Sequence, residues 1–188
     1  MKITGYKLNT YIEQLDRAIG DANYPKGDDL MGMSILRIET DEGITGIAPG
    51  GNDAVESLFH VIEGKDPRGV VGLWKEMVDW VHKGNNEGTV NAAISAIDVA
   101  LWDLKAKINN EPLWQTLGAR EGRAKAYASD IGYNLSDDEL HDFYSRMADM
   151  GIDGGKLKIG LNMKDDLRRI GIMNDALRKV KNLSLIHI

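Results

Sequence analysis

Hydrophobic and polar positions divide the chain into an N-terminal part of short strands followed by helices, and a C-terminal part in which strands and helices alternate. Alternation of apolar and polar residues predicts strands over residues 2–8, 31–40 and 44–48. The turn Asp41-Glu42-Gly43 separates the second strand from the third. The three strands are therefore expected to form an antiparallel meander.

Helical periodicity dominates from residue 54 to residue 117. Apolar residues at helical spacing predict helices over 54–62, 70–83 and 90–108, and Pro112 can open a short further helix. In the longest helix the i, i+4 and i+7 positions form one buried face, made of Ala93, Ile97, Ala100, Leu101, Leu104 and Ile108. The meander and these helices predict an α+β domain over residues 1–122.

Residues 123–182 show the order β-α-β-α. A strand pattern covers residues 124–132, and Ser136 with Glu139 forms a capping box that begins a helix. A second strand is expected over 155–159, and Asn162 caps a helix after it. The apolar stripe of that last helix consists of Leu167, Ile170, Met173, Leu177 and Val180.

Two polar segments interrupt this pattern, at residues 13–30 and 49–53. Both are rich in residues that favour turns, and both are predicted to be flexible loops. Loops longer than about 12–15 residues are often binding loops or lids.

Composition places the chain among ordinary globular proteins, with 43% hydrophobic and 28% charged residues in 188. It has no cysteine, so disulfides and thiol chemistry are excluded. The net charge of −6 without a basic block argues against nucleic acid and anionic membranes as partners. We expect a cytoplasmic protein, since no run approaches ~20 apolar residues and no secretory leader opens the chain.

Two lysines stand in a short apolar run between glycines, Gly154-Gly155-Lys156-Leu157-Lys158-Ile159-Gly160. Alternate residues of a strand point to opposite faces, so Lys156 and Lys158 share one face. On an exposed sheet that would be a solvated face. Helical patterns on both sides of this strand instead predict a parallel sheet, whose strands are normally covered on both faces. Two ammonium groups directed into such an interior are candidates for catalysis.

A closed barrel of eight βα units needs about 250 residues, more than this chain offers after its N-terminal domain. We therefore expect an incomplete barrel, with its first two βα units in residues 123–182. Residues 183–188, Leu-Ser-Leu-Ile-His-Ile, follow no preceding pattern and resemble the translated end of a DNA sequencing adapter. We expect this tail to be non-native and give His187 no functional role.

The chain resembles the mandelate racemase/muconate lactonizing enzyme branch of the enolase superfamily over essentially residues 1–182. A meander with two polar loops precedes helices, as in the capping domain of that family. The runs AISAIDVALWDLKAK (Ala93–Lys107) and EPLWQTLG (Glu111–Gly118) are typical of it, and Lys-x-Lys at 156 and 158 matches its catalytic signature. The resemblance implies an α+β capping domain followed by the first two βα units of a (β/α)8 TIM-type barrel.

The same resemblance implies roles for the lysines. Lys158 would be the general base that removes the proton α to a substrate carboxylate, and Lys156 would stabilise the enediolate that forms. Family members hold that enediolate on Mg²⁺ bound by acidic residues of later barrel strands, so we expect no metal ligand in this chain, and no activity from it alone. Asp98 and Asp103 fit helix-surface pairing, such as Asp103 with Lys107, better than a metal site.

In this family two capping-domain loops close over the barrel mouth and set substrate choice. The segments 13–30 and 49–53 would then bind the substrate. Their polar side chains favour a hydroxylated substrate such as a sugar acid, and the residues concerned are Asp21, Asn23, Tyr24, Lys26, Asn52 and Asp53.

We therefore expect a Mg²⁺-dependent acid-sugar dehydratase (a hydro-lyase) or racemase that acts on a small carboxylate and is a homo-oligomer when full-length. A cycloisomerase or an amino-acid or dipeptide epimerase of the same superfamily is the alternative. From a different class, a complete, non-catalytic small-molecule binding protein competes with both. That hypothesis predicts that residues 1–188 fold cooperatively and stay monodisperse.

Overall fold

The computed structural model describes residues 1–82, 88–129 and 133–178, together with the backbone of residues 184–187. The chain forms two compact units, one made of residues 1–12 and 32–122, the other of residues 13–31 and 123–188. The domain bounds that the sequence predicts, 1–122 and 123–182, stay predictions. Residues 13–31, which the prediction assigns to the N-terminal domain, are compact with the second unit instead.

The meander is present as β1 (Ile3–Ile19), β2 (Asp28–Thr40) and β3 (Thr45–Pro49), in that order across the sheet. β2 and β3 pair antiparallel, as predicted, with Leu36 opposite Ala48. The prediction of a loop over 13–30 is wrong for most of that segment, because β1 and β2 continue through it and only residues 20–27 separate them. A two-stranded ribbon is joined through its backbone, so its exposed part needs no apolar alternation.

Among its described residues, the first unit continues with four helices: α1 (Ala54–Ile62), α2 (Val70–Val81), α3 (Thr89–Ile108) and α4 (Leu113–Thr116). The predicted face of α3 is buried in the main apolar cluster, except that Ile108 is only partly buried. The same cluster contains buried residues of β3, α1 and α2, so α3 is the centre of this unit. In the described part of the chain, no helix combines the length and apolar content that crossing a bilayer requires.

The second unit contains β4 (Ala128–Ser129), α5 (Asp137–Asp149), β5 (Gly154–Leu157), α6 (Met163–Leu177) and β6 (Ser184–His187). β5 lies between β4 and β6, and both pairs are parallel. The predicted capping box and the predicted Asn162 cap are both confirmed by their hydrogen bonds. β4 is much shorter than predicted, and residues 130–132 of the predicted strand lie outside the described residues.

Part of the segment that is predicted to be a non-native tail contributes the backbone of β6. Ser184 lies opposite Gly154, and His187 lies opposite Leu157. The non-native origin of residues 183–188 stays a prediction. The free edge of a strand offers unpaired N–H and C=O groups, and a short apolar segment can pair with them through its backbone alone.

The apolar stripe predicted for α6 is wrong at its first position. Leu167 is 63% exposed, and Asp166 and Arg169 are buried instead. These two residues lie on the same face as Met173 and Leu177, because positions separated by three, four or seven residues share a helix face. Val180 lies outside the described residues. Because the prediction counted only apolar residues, it misplaced the start of the buried face of α6.

Candidate active site

The two lysines lie at the carboxyl end of β5, on the face turned away from α5 and α6. Leu157, between them, is 1% exposed and belongs to a cluster with Tyr144, Met173 and Leu177 of the two helices. Gly155 faces the same helices, since a Cβ added there would lie 2.7 Å from the sulfur of Met173. Strand alternation then directs Lys156 and Lys158 to the opposite face.

The helix side of β5 is fixed by packing and by one polar contact. The Tyr144 hydroxyl of α5 donates a hydrogen bond to the backbone carbonyl of Lys156. Gly155 leaves room for Met173 and Leu177 to approach the strand, which a larger residue would prevent. The strand is thereby held against its helices, while both lysine side chains remain half-buried rather than fully covered.

The tip of the β1–β2 hairpin, residues 20–27, lies beside the end of β5. A Cβ added at Gly160 would lie 3.3 Å from the Cβ of Ala22. The carboxylate of Asp21 accepts hydrogen bonds from the backbone N–H groups of Asn23, at 2.8 Å, and Tyr24, at 3.1 Å. These bonds lower the pKa of Asp21, and the positive charge of Lys158 lowers it further. Asp21 and Lys158 therefore lie close enough to interact electrostatically.

The hairpin tip is also tied to the loop that follows β4. The backbone N–H of Tyr133 donates to the carbonyl of Gly20 at 3.2 Å, and the side-chain amide of Asn134 donates to the carbonyl of Lys26 at 3.0 Å. Gly27 closes the tip with a φ of +69°, where a Cβ would lie 2.4 Å from the carbonyl of Ile19. The tip is therefore a shaped turn, not an open loop.

Three predicted substrate-binding residues on this tip present exposed side chains: Asn23, Tyr24 and Lys26. Asp21 is half-buried. The tip therefore offers a carboxylate, an amide, a phenol and an ammonium to a ligand. Such a set can form hydrogen bonds with several hydroxyl groups at once.

Asn52 and Asp53 belong to the first unit, where with Tyr6, Leu8 and Glu56 they line a cavity of about 260 Å³. Asn52 already uses its amide on the backbone, since it accepts from the N–H of Ala54 and donates to the carbonyl of Thr89. Asp53 lies at the N-cap position of α1 but makes no side-chain capping bond there. The interactions of Asn52 hold the start of α1, whereas the Asp53 carboxylate is exposed.

Residues that the sequence analysis did not single out also contribute to this end of the second unit. Asp166, Arg169, Tyr133 and Asn134 all bond to the loops next to the lysines. The sequence did contain a sign that Asp166 and Arg169 are buried, because both share a helix face with the apolar residues Met173 and Leu177. Charged residues at apolar positions are the observation that could have identified them.

A metal site is not formed by the described residues, among which no group of three His, Asp or Glu side chains could hold an ion. Asp103 pairs with Lys107 at 2.6 Å, as predicted, and also accepts from the N–H of Ile47. Burial raises the pKa of Asp98, and a hydrogen bond from Trp102 opposes that shift. Mg²⁺ requires several oxygen ligands at one site, and the described residues do not bring such a set together.

Known proteins are similar to this chain over much of its length. Residues 31–118 match the sequence model of the mandelate racemase / muconate lactonizing enzyme N-terminal domain. A curated relative, D-galactarolactone cycloisomerase of Agrobacterium fabrum, is 28% identical over 187 residues, which cover 94% of this chain and 49% of the relative.

Solved structures extend the similarity beyond the capping domain. L-talarate/galactarate dehydratase from Salmonella typhimurium, liganded with Mg and L-lyxarohydroxamate, is 25% identical with a TM-score of 0.85, over 99% of this chain and 51% of its own. A racemase from Streptomyces coelicolor with bound magnesium is 25% identical with a TM-score of 0.84, over 98% of this chain and 54% of its own. The chain thus spans about half the length of the relatives it matches. With its meander and its helical segment, this chain is similar to the mandelate racemase/muconate lactonizing enzyme family over residues 31–118, and to these solved structures over nearly its whole length.

Proposed function

We propose that this chain supplies the general base of an enzyme that removes the proton α to the carboxylate of a small acid. Lys158 is the base, and Lys156 lies beside it. The observation that carries the proposal is the orientation of β5, whose two lysines share the face opposite to α5 and α6. Lys158 follows β5 at its carboxyl end, which is where barrel enzymes place their catalytic groups.

The proposed step uses side chains of this chain alone. Lys158 acts as base after its ammonium group has given up one proton to solvent. The α C–H bond then breaks, its proton moves to the free electron pair of Lys158 Nζ, and its own electron pair enters the carboxylate to give an enediolate. Lys156 lies about 6.6 Å along the strand from Lys158. Its ammonium group places positive charge next to the developing negative charge and so lowers the free-energy barrier to forming the enediolate.

Two of the similar solved structures contain bound magnesium. A bound metal ion stabilises developing oxyanions as a Lewis acid. The described residues of this chain do not provide a ligand set for it. The proton transfer described above is therefore assigned to the lysines only. We also propose that residues 1–188 alone do not turn over substrate, because the enediolate would lack that further stabilisation.

The substrate that we propose is an acid sugar, and the reaction is dehydration. In that reaction the electron pair of the enediolate forms a C=C bond as the C–O bond on the neighbouring carbon breaks, and the leaving hydroxyl takes up one proton, equal to the one removed from the α carbon, to depart as water. The resulting enol then tautomerises to a keto acid. Polar side chains on the hairpin tip support the choice of a polyhydroxylated acid, with Asp21, Asn23, Tyr24 and Lys26 as its hydrogen-bonding partners. Asn52 and Asp53, which belong to the first unit, stay predicted substrate-binding residues.

Cycloisomerisation is the second candidate, favoured by the name of the Agrobacterium relative. The two reactions differ in mass balance, since a dehydratase product is lighter than its substrate by one water and a cycloisomerase product has the same mass. Mass spectrometry of reactions with aldonic acids, aldaric acids and their lactones separates them.

The test of Lys158 uses the protein expressed from its complete natural gene, with Mg²⁺ added. Incubation with an acid-sugar panel in D₂O should exchange or remove the α-proton of at least one substrate, as followed by proton NMR. Lys158→Ala should lower that rate by about 10²–10⁴-fold, as expected for loss of a general base. Lys164→Ala, an exposed lysine on α6, is the matched control and should leave the rate unchanged. Equal rates in all three proteins would reject the proposed base, and no reaction with any acid sugar would favour a non-catalytic binding protein.

A further inference from the structure

Two buried charged residues of α6 bond to both loops at the carboxyl ends of β4 and β5. Asp166 is 6% exposed and Arg169 is 5% exposed. They lie three residues apart and therefore on the same face of the helix. Charged side chains are rarely buried to this extent unless they have specific partners, so their partners indicate what they do.

Asp166 holds the backbone that follows Lys158. Its Oδ2 accepts a hydrogen bond from the N–H of Gly160 at 3.0 Å. Gly160 has a φ of +125°, which favours glycine. The space for a Cβ on Gly160 is bounded by Ala22 of the hairpin tip. One bond thus fixes the chain two residues after the proposed base, where that chain passes the tip.

Arg169 holds the loop that follows β4. Its Nη1 donates to the carbonyl of Leu135 at 3.0 Å, and its guanidinium lies over the ring of Tyr133, 5.4 Å from the ring centre. The backbone N–H of Tyr133 and the side chain of Asn134 then bond to the two ends of the hairpin tip, at Gly20 and Lys26. Arg169 therefore reaches the tip through a single intervening loop.

We propose that Asp166 and Arg169 are positioning residues that hold the hairpin tip and the chain after Lys158 in one arrangement. They act through the Gly160 amide and the Tyr133–Leu135 loop, and they do not touch the substrate. The consequence for catalysis rests on the proposed function, because it requires that the tip and Lys158 face the same substrate. The arrangement itself can be tested without any activity.

The test is amide hydrogen exchange of the 188-residue chain, resolved by NMR. Arg169→Met keeps much of the side-chain volume and removes the hydrogen bond and the charge. We expect exchange of the amides in residues 20–27 and 133–135 to accelerate by about tenfold or more, with the amides of α3 unchanged. Arg168→Met is the matched control, since Arg168 is the neighbouring exposed arginine and pairs with Asp137 and Asp165. Unchanged protection of the tip in Arg169→Met, or equal acceleration in both variants, would overturn the proposal.

Two further variants keep the test decisive if Arg169→Met unfolds the second unit. Tyr133→Leu removes the ring beneath the guanidinium and leaves the backbone donor in place, and it should accelerate exchange at the tip while α6 stays protected. Asp166→Ala should accelerate exchange at Gly160, and Asp166→Asn, which retains an oxygen acceptor, should restore most of the protection. Uniform acceleration throughout the second unit in Tyr133→Leu, or identical behaviour of the two Asp166 variants, would contradict positioning.

Activity of the full-length protein separates this inference from the proposed function. A tip that loosens in Arg169→Met, in a protein that acts on no acid sugar, would leave the positioning pair intact and reject the proposed reaction. If the full-length protein acts on an acid sugar but the tip stays protected in Arg169→Met, the proposed reaction stands and the positioning role is rejected. If both hold, Arg169→Met should raise KM by about tenfold and Arg169→Lys, which keeps a donor and the charge, should recover part of that loss.

Discussion

Different kinds of internal contact stabilise each of the two compact units. Among the described residues, the apolar cluster of the first unit contains eighteen buried side chains, and that of the second contains eight. In the second unit, the loops that carry the candidate site are fixed by hydrogen bonds from Asp166, Arg169 and Asn134 instead. Apolar packing therefore dominates the first unit, whereas polar contacts fix the site loops of the second.

The largest effect should come from breaking the apolar core of the first unit. Leu104 on α3 is fully buried, and Leu104→Ala should lower the free energy of unfolding of that unit by about 2–5 kcal/mol, through lost burial and the cavity left behind. Urea denaturation followed by tryptophan fluorescence measures this. Val99→Ala, at an exposed position of the same helix, is the control and should cost less than about 1 kcal/mol. Equal costs for the two would contradict a core centred on α3.

A smaller effect is expected from removing a polar cap in the second unit. Ser136 accepts a hydrogen bond from the N–H of Glu139, whose carboxylate in turn accepts from the N–H of Ser136. Ser136→Ala should destabilise the second unit by about 1 kcal/mol, measured by exchange of the α5 amides. Ser136→Thr retains a capping oxygen and should behave nearly like the unaltered chain. A loss in Ser136→Thr as large as that in Ser136→Ala would show that capping is not the cause.

The smallest effects separate two aspartates whose pKa values are lowered for different reasons. Asp66 in the first unit has its pKa lowered to about 2, chiefly by the Arg68 side chain. Asp21 in the second unit has its pKa lowered chiefly by the N–H groups of Tyr24 and Asn23. A lowered pKa stabilises the fold above the ordinary value of 3.8. That contribution is lost as the pH falls through the folded-state value.

Salt should distinguish the two aspartates. Exposed ion pairs are screened by salt, so the pKa of Asp66 should rise toward its ordinary value at high ionic strength, while that of Asp21 should change much less. Carboxyl-detected NMR titrations at low and high salt measure both groups in one sample. A larger salt response for Asp21 than for Asp66 would indicate that its charge interaction with Lys158 outweighs the backbone bonds.

Much of the fold could be predicted because apolar periodicity reports burial directly. The face of α3, the β2–β3 pairing and the βα order of the second unit all follow from it. The orientation of Lys156 and Lys158 could also be predicted, since the alternation of a strand leaves only two choices and Leu157 decides between them.

The remainder of the site could not be predicted from apolar periodicity. The length of β1 was missed because an exposed ribbon is stabilised by backbone bonds that leave no apolar pattern. The bond from Asn134 to Lys26 joins residues that are 108 positions apart, and no local rule relates such residues. Asp166 and Arg169 were overlooked because burial was expected only of apolar side chains, although their helical spacing was visible.

Chemical labelling distinguishes the two faces of β5. The chain contains no cysteine, so single substitutions Lys156→Cys, Leu157→Cys and Lys158→Cys give unambiguous probes. The folded 188-residue chain is treated with a maleimide, and the labelling rates are compared with those in urea. We expect rapid labelling at positions 156 and 158 and strong protection at position 157. Protection at both lysine positions with rapid labelling at 157 would place the lysines against α5 and α6, and the proposed base would be wrong.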